Sequence, residues 1–307
     1  MKYEILSFFK LLNVPETVSI EVTRKYNKNC LNKNLPDPNI NDLKCYIDQA
    51  IKMGCSVFVI TEGETLFCNN IYELIRYINK KKAIVNLFTW GLNFSEEKAR
   101  KLKDAGLQTL LISLYSTNPL IHDKIRGIDK SYYKVINAIK IAKKVGLLVT
   151  ITTHINKKNC SLNLDSLFDL SCKLNVNEFS IWEELPTENN NYPNNKYSKS
   201  QILQFQKYKN NINKYNKNIP KVFTNIYFEK KVGILTGNKW LHIDVDGNVH
   251  PDPYISKSYG NIKKITLINC WKNIRNDKVL LSCISKKIHP LYCKEYINKY
   301  NIFKKKE

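Results

Sequence analysis

The feature that most constrains this chain is a pattern repeated from residue 18 to residue 182, in which a β-branched apolar run is followed by a stretch of helical periodicity. Apolar and polar residues alternate from Val18 to Thr23, which reads as a half-buried strand. Helical spacing starts at Ile40 with Leu43, Ile47 and Ile51, with Asn41 or Asp42 able to cap, and it stops at Gly54 before the apolar run Cys55 to Ile60. The same succession gives helices over 70–79, 95–105, 131–145 and 162–174, each followed by a strand, over 83–89, 107–114, 147–155 and 178–182. Gly54, Gly106 and Gly146 stand where helix turns into strand, the position that needs left-handed backbone. Six strands alternating with helices pair in parallel through right-handed crossovers, and the ligand groups of such a fold lie on loops at the carboxyl ends of the strands. The pattern fits a closed or partly closed barrel and equally an open doubly wound sheet.

The first of those loops is long. After Thr23 the chain runs Arg-Lys-Tyr-Asn-Lys-Asn-Cys-Leu-Asn-Lys-Asn-Leu-Pro-Asp to residue 37. After the second strand comes Thr61-Glu-Gly-Glu-Thr-Leu66, which by itself also reads as a solvated acidic turn. The fourth strand ends Ile112-Ser-Leu-Tyr115 and leads into Ile121-His-Asp-Lys-Ile-Arg-Gly127, and the fifth ends Thr153-His-Ile-Asn156.

These segments resemble the radical S-adenosylmethionine (radical SAM) superfamily, in which the first strand delivers a Cys-x3-Cys-x2-Cys loop holding a [4Fe-4S] cluster. The three ligand positions here read Tyr26, Cys30 and Lys33. A phenol is a poor substitute for thiolate and an ammonium would set positive charge beside iron, so no cluster is expected. The resemblance implies a partial (β/α)6 TIM-like barrel and a pocket for S-adenosylmethionine. It assigns Glu64 as the carboxylate that receives the methionine amino group, with Glu62 and Thr65 replacing the family's glycine and proline. It places Ser113 near the ribose or carboxylate, Arg126 where a guanidinium pairs a carboxylate, and Asn156 as a ligand contact at the barrel mouth. For Arg126 an internal salt bridge to Asp123 stays open, and His122 and His154 read as loop-ordering and packing residues.

Beyond residue 182 the composition shifts. An Asn/Pro-rich loop precedes a basic amphipathic helix, Ser200 to Tyr215, and a tail opens with Trp240-Leu-His-Ile-Asp-Val and turns at Asp246-Gly247, a dipeptide that favours a type I′ hairpin. A short helix follows over 267–271. The tail resembles the SPASM or twitch extension, which carries auxiliary clusters; Asp252 stands where the family has a cysteine, and Ile234, Leu235 and Thr236 occupy the neighbourhood of its partner cysteine. The expected division is an N-terminal segment 1–17, a barrel 18–225, and an extension 226–307 formed of a β-hairpin and helix and ending in a basic tail.

Composition narrows the function classes. The formal charge of +22 comes from 49 basic and 27 acidic residues, but only Arg24, Arg76, Arg100, Arg126 and Arg275 are Arg, and the lysines are spread among Asn and Ile. Phosphate-binding faces cluster charge and favour Arg, so this excess reads as a solvated surface. The alternative is a nucleic-acid module using the basic helix with Tyr208 and Tyr215 as stacking groups. Nine scattered cysteines without a Cys-x2-Cys pair suit reduced thiols in cytoplasm. Neither a signal peptide nor a membrane span is expected.

Four readings follow. The first is a cluster-free, non-radical relative, a pseudoenzyme that serves as accessory or binding partner in peptide or small-molecule modification, with a peptide substrate or a partner maturase and a retained S-adenosylmethionine-like pocket. The second is an atypical maturase holding iron through Cys30 with Cys55 or Cys68. The third is the nucleic-acid module. The fourth is a zinc site from His242, His250 and Asp252.

Overall fold

The computed structural model describes residues 14–25, 36–155, 164–183, 185, 220–224 and 233–302. It divides into two compact units, Met1–Asn86 with Gly233–Glu307, and Leu87–Val232.

The first unit contains β1 (Thr17–Glu21), α1 (Ile40–Met53), β2 (Val57–Thr61), α2 (Ile71–Lys80) and the start of β3 (Ile84–Thr89), which straddles the division. The returning chain adds β8 (Trp240–Ile243), β9 (Val249–His250), α7 (Leu267–Asn276), α8 (Lys278–Ser285) and α9 (Lys294–Tyr300). Its strands run in the order β2, β1, β8, β9. β1 is parallel to β2 on one side, with Ser19 opposite Val59, and to β8 on the other, with Ser19 opposite His242; β9 is antiparallel to β8. α1 buries Leu43, Tyr46, Ile47 and Ala50. Its cap is Asn39, whose side chain accepts from Asn41 N, two residues before Asn41 and three before Asp42, the caps expected from the sequence.

The second unit contains α3 (Glu96–Asp104), β4 (Thr109–Ser113), α4 (Pro119–Arg126), α5 (Ser131–Val145), β5 (Leu148–Ile155), α6 (Leu164–Lys173), β6 (Glu178–Glu183) and β7 (Lys221–Thr224). Its strands run β7, β6, β5, β4, all parallel, with Ser113, Thr152 and Ser180 at one level across β4, β5 and β6. α5 packs on β4 and β5 through Val135, Ala138, Ile139 and Ala142, all fully buried. Burial of side chains as large as Val135 and Ile139 contributes about 1.5–3 kcal/mol each.

In neither unit does the strand order return on itself, so the architecture is α/β with a mostly parallel sheet that is not closed. The three junction glycines adopt φ of 97°, 97° and 83° at Gly54, Gly106 and Gly146. Two sequence expectations are corrected. Residues 119–126, read as a continuation of the strand-end loop, form α4: Asn118 accepts from Leu120 N and Ile121 N, Pro119 occupies the first turn, and Gly127 ends the helix at φ 68°. The hairpin turn is not type I′, because Asp246 does not take positive φ and only Gly247 does; Gly247 N instead bonds Asp244 O at 3.0 Å and Asp244 N bonds Asn248 O at 3.0 Å. Strand β7 and helices α8 and α9 carried no pattern strong enough to be read beforehand. The basic helix expected over Ser200 to Tyr215, with its nucleic-acid reading, lies outside the described residues, as does the terminal Lys run.

Candidate functional site

At the carboxyl end of β1 the chain enters its long loop through a neck closed by one carboxylate. Asp37 Oδ1 accepts from Thr23 Oγ1 at 2.9 Å and from Arg24 N at 3.1 Å, while Asp37 Oδ2 lies 3.0 Å from Lys25 Nζ. Tyr26, Cys30 and Lys33 lie outside the described residues. The loop after β2 is clasped to this neck: Glu64 N donates to Lys25 O at 2.7 Å. Gly63 has φ +60°, and a Cβ there would stand 2.8 Å from Lys25 O and 3.1 Å from Thr23 O. Only glycine permits this approach of two backbones. Glu62, in the place of the family's first glycine, takes φ 61° all the same. Glu64 is buried, 3% exposed, and Glu64 Oε1 accepts from Leu66 N at 3.2 Å, capping the short 3₁₀ turn Thr65–Phe67. The solvated-acidic-turn reading is thereby replaced by a buried carboxylate.

In the second unit β4 ends at Ser113, which is 9% exposed and accepts from Thr152 Oγ1 at 3.4 Å. The Arg126 guanidinium lies between two rings, 4.8 Å from the centroid of Trp90 and 4.9 Å from that of Tyr115, and Nη2 donates to Ser113 O at 3.5 Å. Such sandwiching fixes the plane of a guanidinium without neutralising it. Ser113 and Arg126 are therefore brought together. Asp123, the suggested ion-pair partner, accepts from Lys130 N, Ser131 Oγ and Tyr132 N at 2.6–2.8 Å and so caps α5. Burial opposes its ionisation, but these donors outweigh burial and hold the carboxyl below its ordinary range. His122 is fully buried; Nδ1 accepts from Tyr115 N at 3.2 Å, which puts the ring proton on Nε2. Desolvation, reinforced by the charge of Arg126, pushes its pKa down to about 4, so it is a neutral loop-ordering residue at pH 7. His154 meets the Tyr115 ring at 6.3 Å, and Asn156 lies outside the described residues.

The tail carries a third cluster. Asp252, 1% exposed, accepts from Thr236 Oγ1 at 2.5 Å and from His289 Nε2 at 2.9 Å on one oxygen, and from Tyr254 N and Ile255 N on the other. Burial would raise its pKa, but His289 and the hydrogen bonds prevail and hold it below the usual carboxylate range. The position where a cysteine is expected and its partner neighbourhood are thus in contact, and they satisfy each other. The grouping of His242, His250 and Asp252 does not form. His242 lies between Ser19 Oγ at 2.9 Å and Glu21 Oε1 at 3.0 Å, and His250 between Lys257 O at 3.2 Å and Asp244 Oδ2 at 3.3 Å. Among the described residues no set of three or more His, Cys, Asp or Glu side chains is arranged to hold a metal ion. Asp37, Trp90, Tyr115 and His289 were missed in the sequence because each gains its role from a partner distant along the chain; the Pro-Asp-Pro run around Asp37 was the one local hint.

Residues 32–159 match the radical SAM superfamily. The AdoMet-dependent heme synthase of Methanosarcina barkeri is 24% identical over 294 residues, covering 86% of this chain and 84% of that protein. The GTP 3′,8-cyclase of Aquifex aeolicus is 30% identical over 132 residues, 42% of this chain and 40% of that protein. Among solved structures, Streptococcus suis SuiB superposes with a TM-score of 0.68 at 15% identity, covering 92% of this chain and 71% of that one. Native anSMEcpe with bound AdoMet and a peptide gives 0.63 at 16% identity, covering 92% and 87%. SuiB is also known bound to its precursor peptide. Among the described residues no helix is long and apolar enough to cross a membrane. The match to the radical SAM superfamily thus covers residues 32–159, and the mostly parallel α/β strand arrangement of the chain agrees with it.

Proposed function

We propose that this chain is a cluster-free member of its superfamily that binds S-adenosylmethionine or a similar zwitterion and serves as a non-radical accessory protein in the modification of a peptide or small molecule. The observation that carries the reading is the donor set. At the first loop the ligand positions hold Tyr26, Cys30 and Lys33, and in the tail Asp252 is bonded to Thr236 and His289. Neither set suits iron and sulfide, which require thiolates. Radical cleavage of the sulfonium needs an electron supplied through that cofactor. The retained parts are those that recognise charge. Glu64 is buried beside the loop neck in one unit, and Arg126 is held flat between Trp90 and Tyr115 beside Ser113 in the other. Taken singly, a buried carboxylate can receive an amino group and a stacked guanidinium a carboxyl. The superfamily match over residues 32–159 and the AdoMet-bound and peptide-bound neighbours support the choice of ligand and partner. Anaerobic reconstitution with iron and sulfide, followed by calorimetry with S-adenosylmethionine, tests both halves. The expected result is binding without brown colour or 5′-deoxyadenosine; a stoichiometric cluster with cleavage products refutes it.

A second reading, the atypical maturase, draws support from the enzymes among the relatives and from Cys68, which lies within electrostatic reach of Asp37 and Lys25 at the loop neck. Burial raises the Cys68 thiol and pushes Cys55 up to about 12, so neither is a ready thiolate. If Cys30→Ala leaves iron content and activity unchanged, this reading is removed.

A further inference from the structure

Helix α4 is built with its faces reversed. At 100° per residue, His122, Asp123 and Arg126 share the side turned to β4 and α5, where His122 is fully buried and Asp123 caps α5. Leu120, Lys124, Ile121 and Ile125 fill the opposite arc, with Leu120 80% exposed, Ile121 46% and Ile125 52%. Tyr133, 63% exposed, stands in the first turn of α5, its ring edge-on to Tyr132, whose ring meets His122 on the inward side. Surface helices ordinarily bury the apolar stripe and expose the charged one. Exposed Leu and Ile side chains gathered on one arc of a helix mark an interaction surface. Lys124 lies within the arc, and Lys130 and Lys134 follow it along the chain, all exposed, with Asp129 also exposed just before Lys130.

We propose that this face of α4 docks an acidic peptide segment carrying apolar side chains at helical spacing. The charge selects the occupant. A second copy of this chain would set lysine against lysine across a two-fold contact, whereas an acidic segment pairs with Lys124, Lys130 and Lys134 while its apolar side chains cover Leu120, Ile121 and Ile125. The inference deepens the accessory-protein reading by naming a partner chemistry, and its test does not use S-adenosylmethionine or iron, so each can fail alone.

The test pans a displayed library of random short peptides on the full-length protein and, in parallel, on Leu120→Glu/Ile125→Glu. Both positions are exposed, so that variant should keep the wild-type thermal midpoint. The expected result is enrichment, on wild type only, of peptides with Asp or Glu around Leu, Ile or Phe. Their affinity should fall at least tenfold on the variant and weaken as salt rises, and Lys124→Glu/Lys134→Glu should turn the preference to basic peptides. No enrichment over the variant, equal affinity for both proteins, or enriched sequences without acidic residues would overturn the proposal. Phosphatidylserine vesicles that bind wild type and not the variant, with no peptide enriched, would assign the face to a membrane and overturn it equally.

Discussion

Replacing Gly63 by alanine tests the clasp between the loop neck and the β2 loop more directly than any ligand assay. The new methyl would stand 2.8 Å from Lys25 O and 3.1 Å from Thr23 O at φ +60°. Left-handed backbone costs a residue with a Cβ about 1–2 kcal/mol. Overpacking against backbone that cannot rotate away adds about 1–3 kcal/mol. Displacing Lys25 O also strains the 2.7 Å bond from Glu64 N, worth about 1 kcal/mol. Gly233 in the same unit is the control, because it has φ +95° and no heavy atom within 4 Å of an added Cβ, so alanine there pays the backbone cost alone. Urea titration should place Gly63→Ala at least about 2 kcal/mol below Gly233→Ala, a difference that corresponds to roughly 4–8 °C in thermal midpoint for a domain of this size. Equal losses for the two variants would mean that no backbone lies against Gly63, and the clasp would have to be abandoned.

Three further outcomes follow from the buried polar groups. Asp252→Ala leaves Thr236, His289 and two backbone donors without their acceptor and should cost about 3–5 kcal/mol near neutral pH. Because the folded pKa of Asp252 is lowered, its stabilisation is present above the unfolded value near ~3.9 and is lost as pH falls through the folded one. Urea midpoints of wild type and variant should therefore converge in acid. His122 is also depressed, to about 4, so between that value and ~6.5 the unfolded chain binds the extra proton, and stability should decline as pH falls through that window. His122→Asn should flatten that decline, and nitrogen NMR should find neutral His122 protonated on Nε2 at pH 6. Buried Cys55, with its thiol pushed up to about 12, should resist alkylation in the native protein at pH 8 while exposed Cys45 reacts.

Local sequence was sufficient for the elements whose periodicity and punctuation agree. Helix α5 spans Ser131–Val145 as its spacing and Gly146 indicate, and the left-handed glycines at 54, 106 and 146 mark the helix ends that the chain announces. The succession of strand and helix, and with it a mostly parallel α/β sheet, follows because apolar period and glycine conformation are properties of neighbouring residues. Helix α4 escaped detection for the same reason: its inward side carries His122, Asp123 and Arg126 and its outward side Leu120 and Ile125, so its periodicity points the wrong way, although Asn118-Pro119 and Gly127 frame it. That Tyr, Lys and Asp rather than cysteine stand at 26, 33 and 252 could be read from residue identity alone.

Only tertiary structure decided what surrounds Asp252. The bond between Thr236 and Asp252, completed by His289, joins positions 16 and 37 residues apart, and β8 reaches β1 from more than two hundred residues away. Whether Glu64 is solvated or buried depended on the Gly63 backbone meeting Lys25, and the setting of Arg126 depended on rings from two different strand ends. Contacts of this kind are chosen by how the chain closes loops and buries polar groups together, a global free-energy balance that no window of sequence contains.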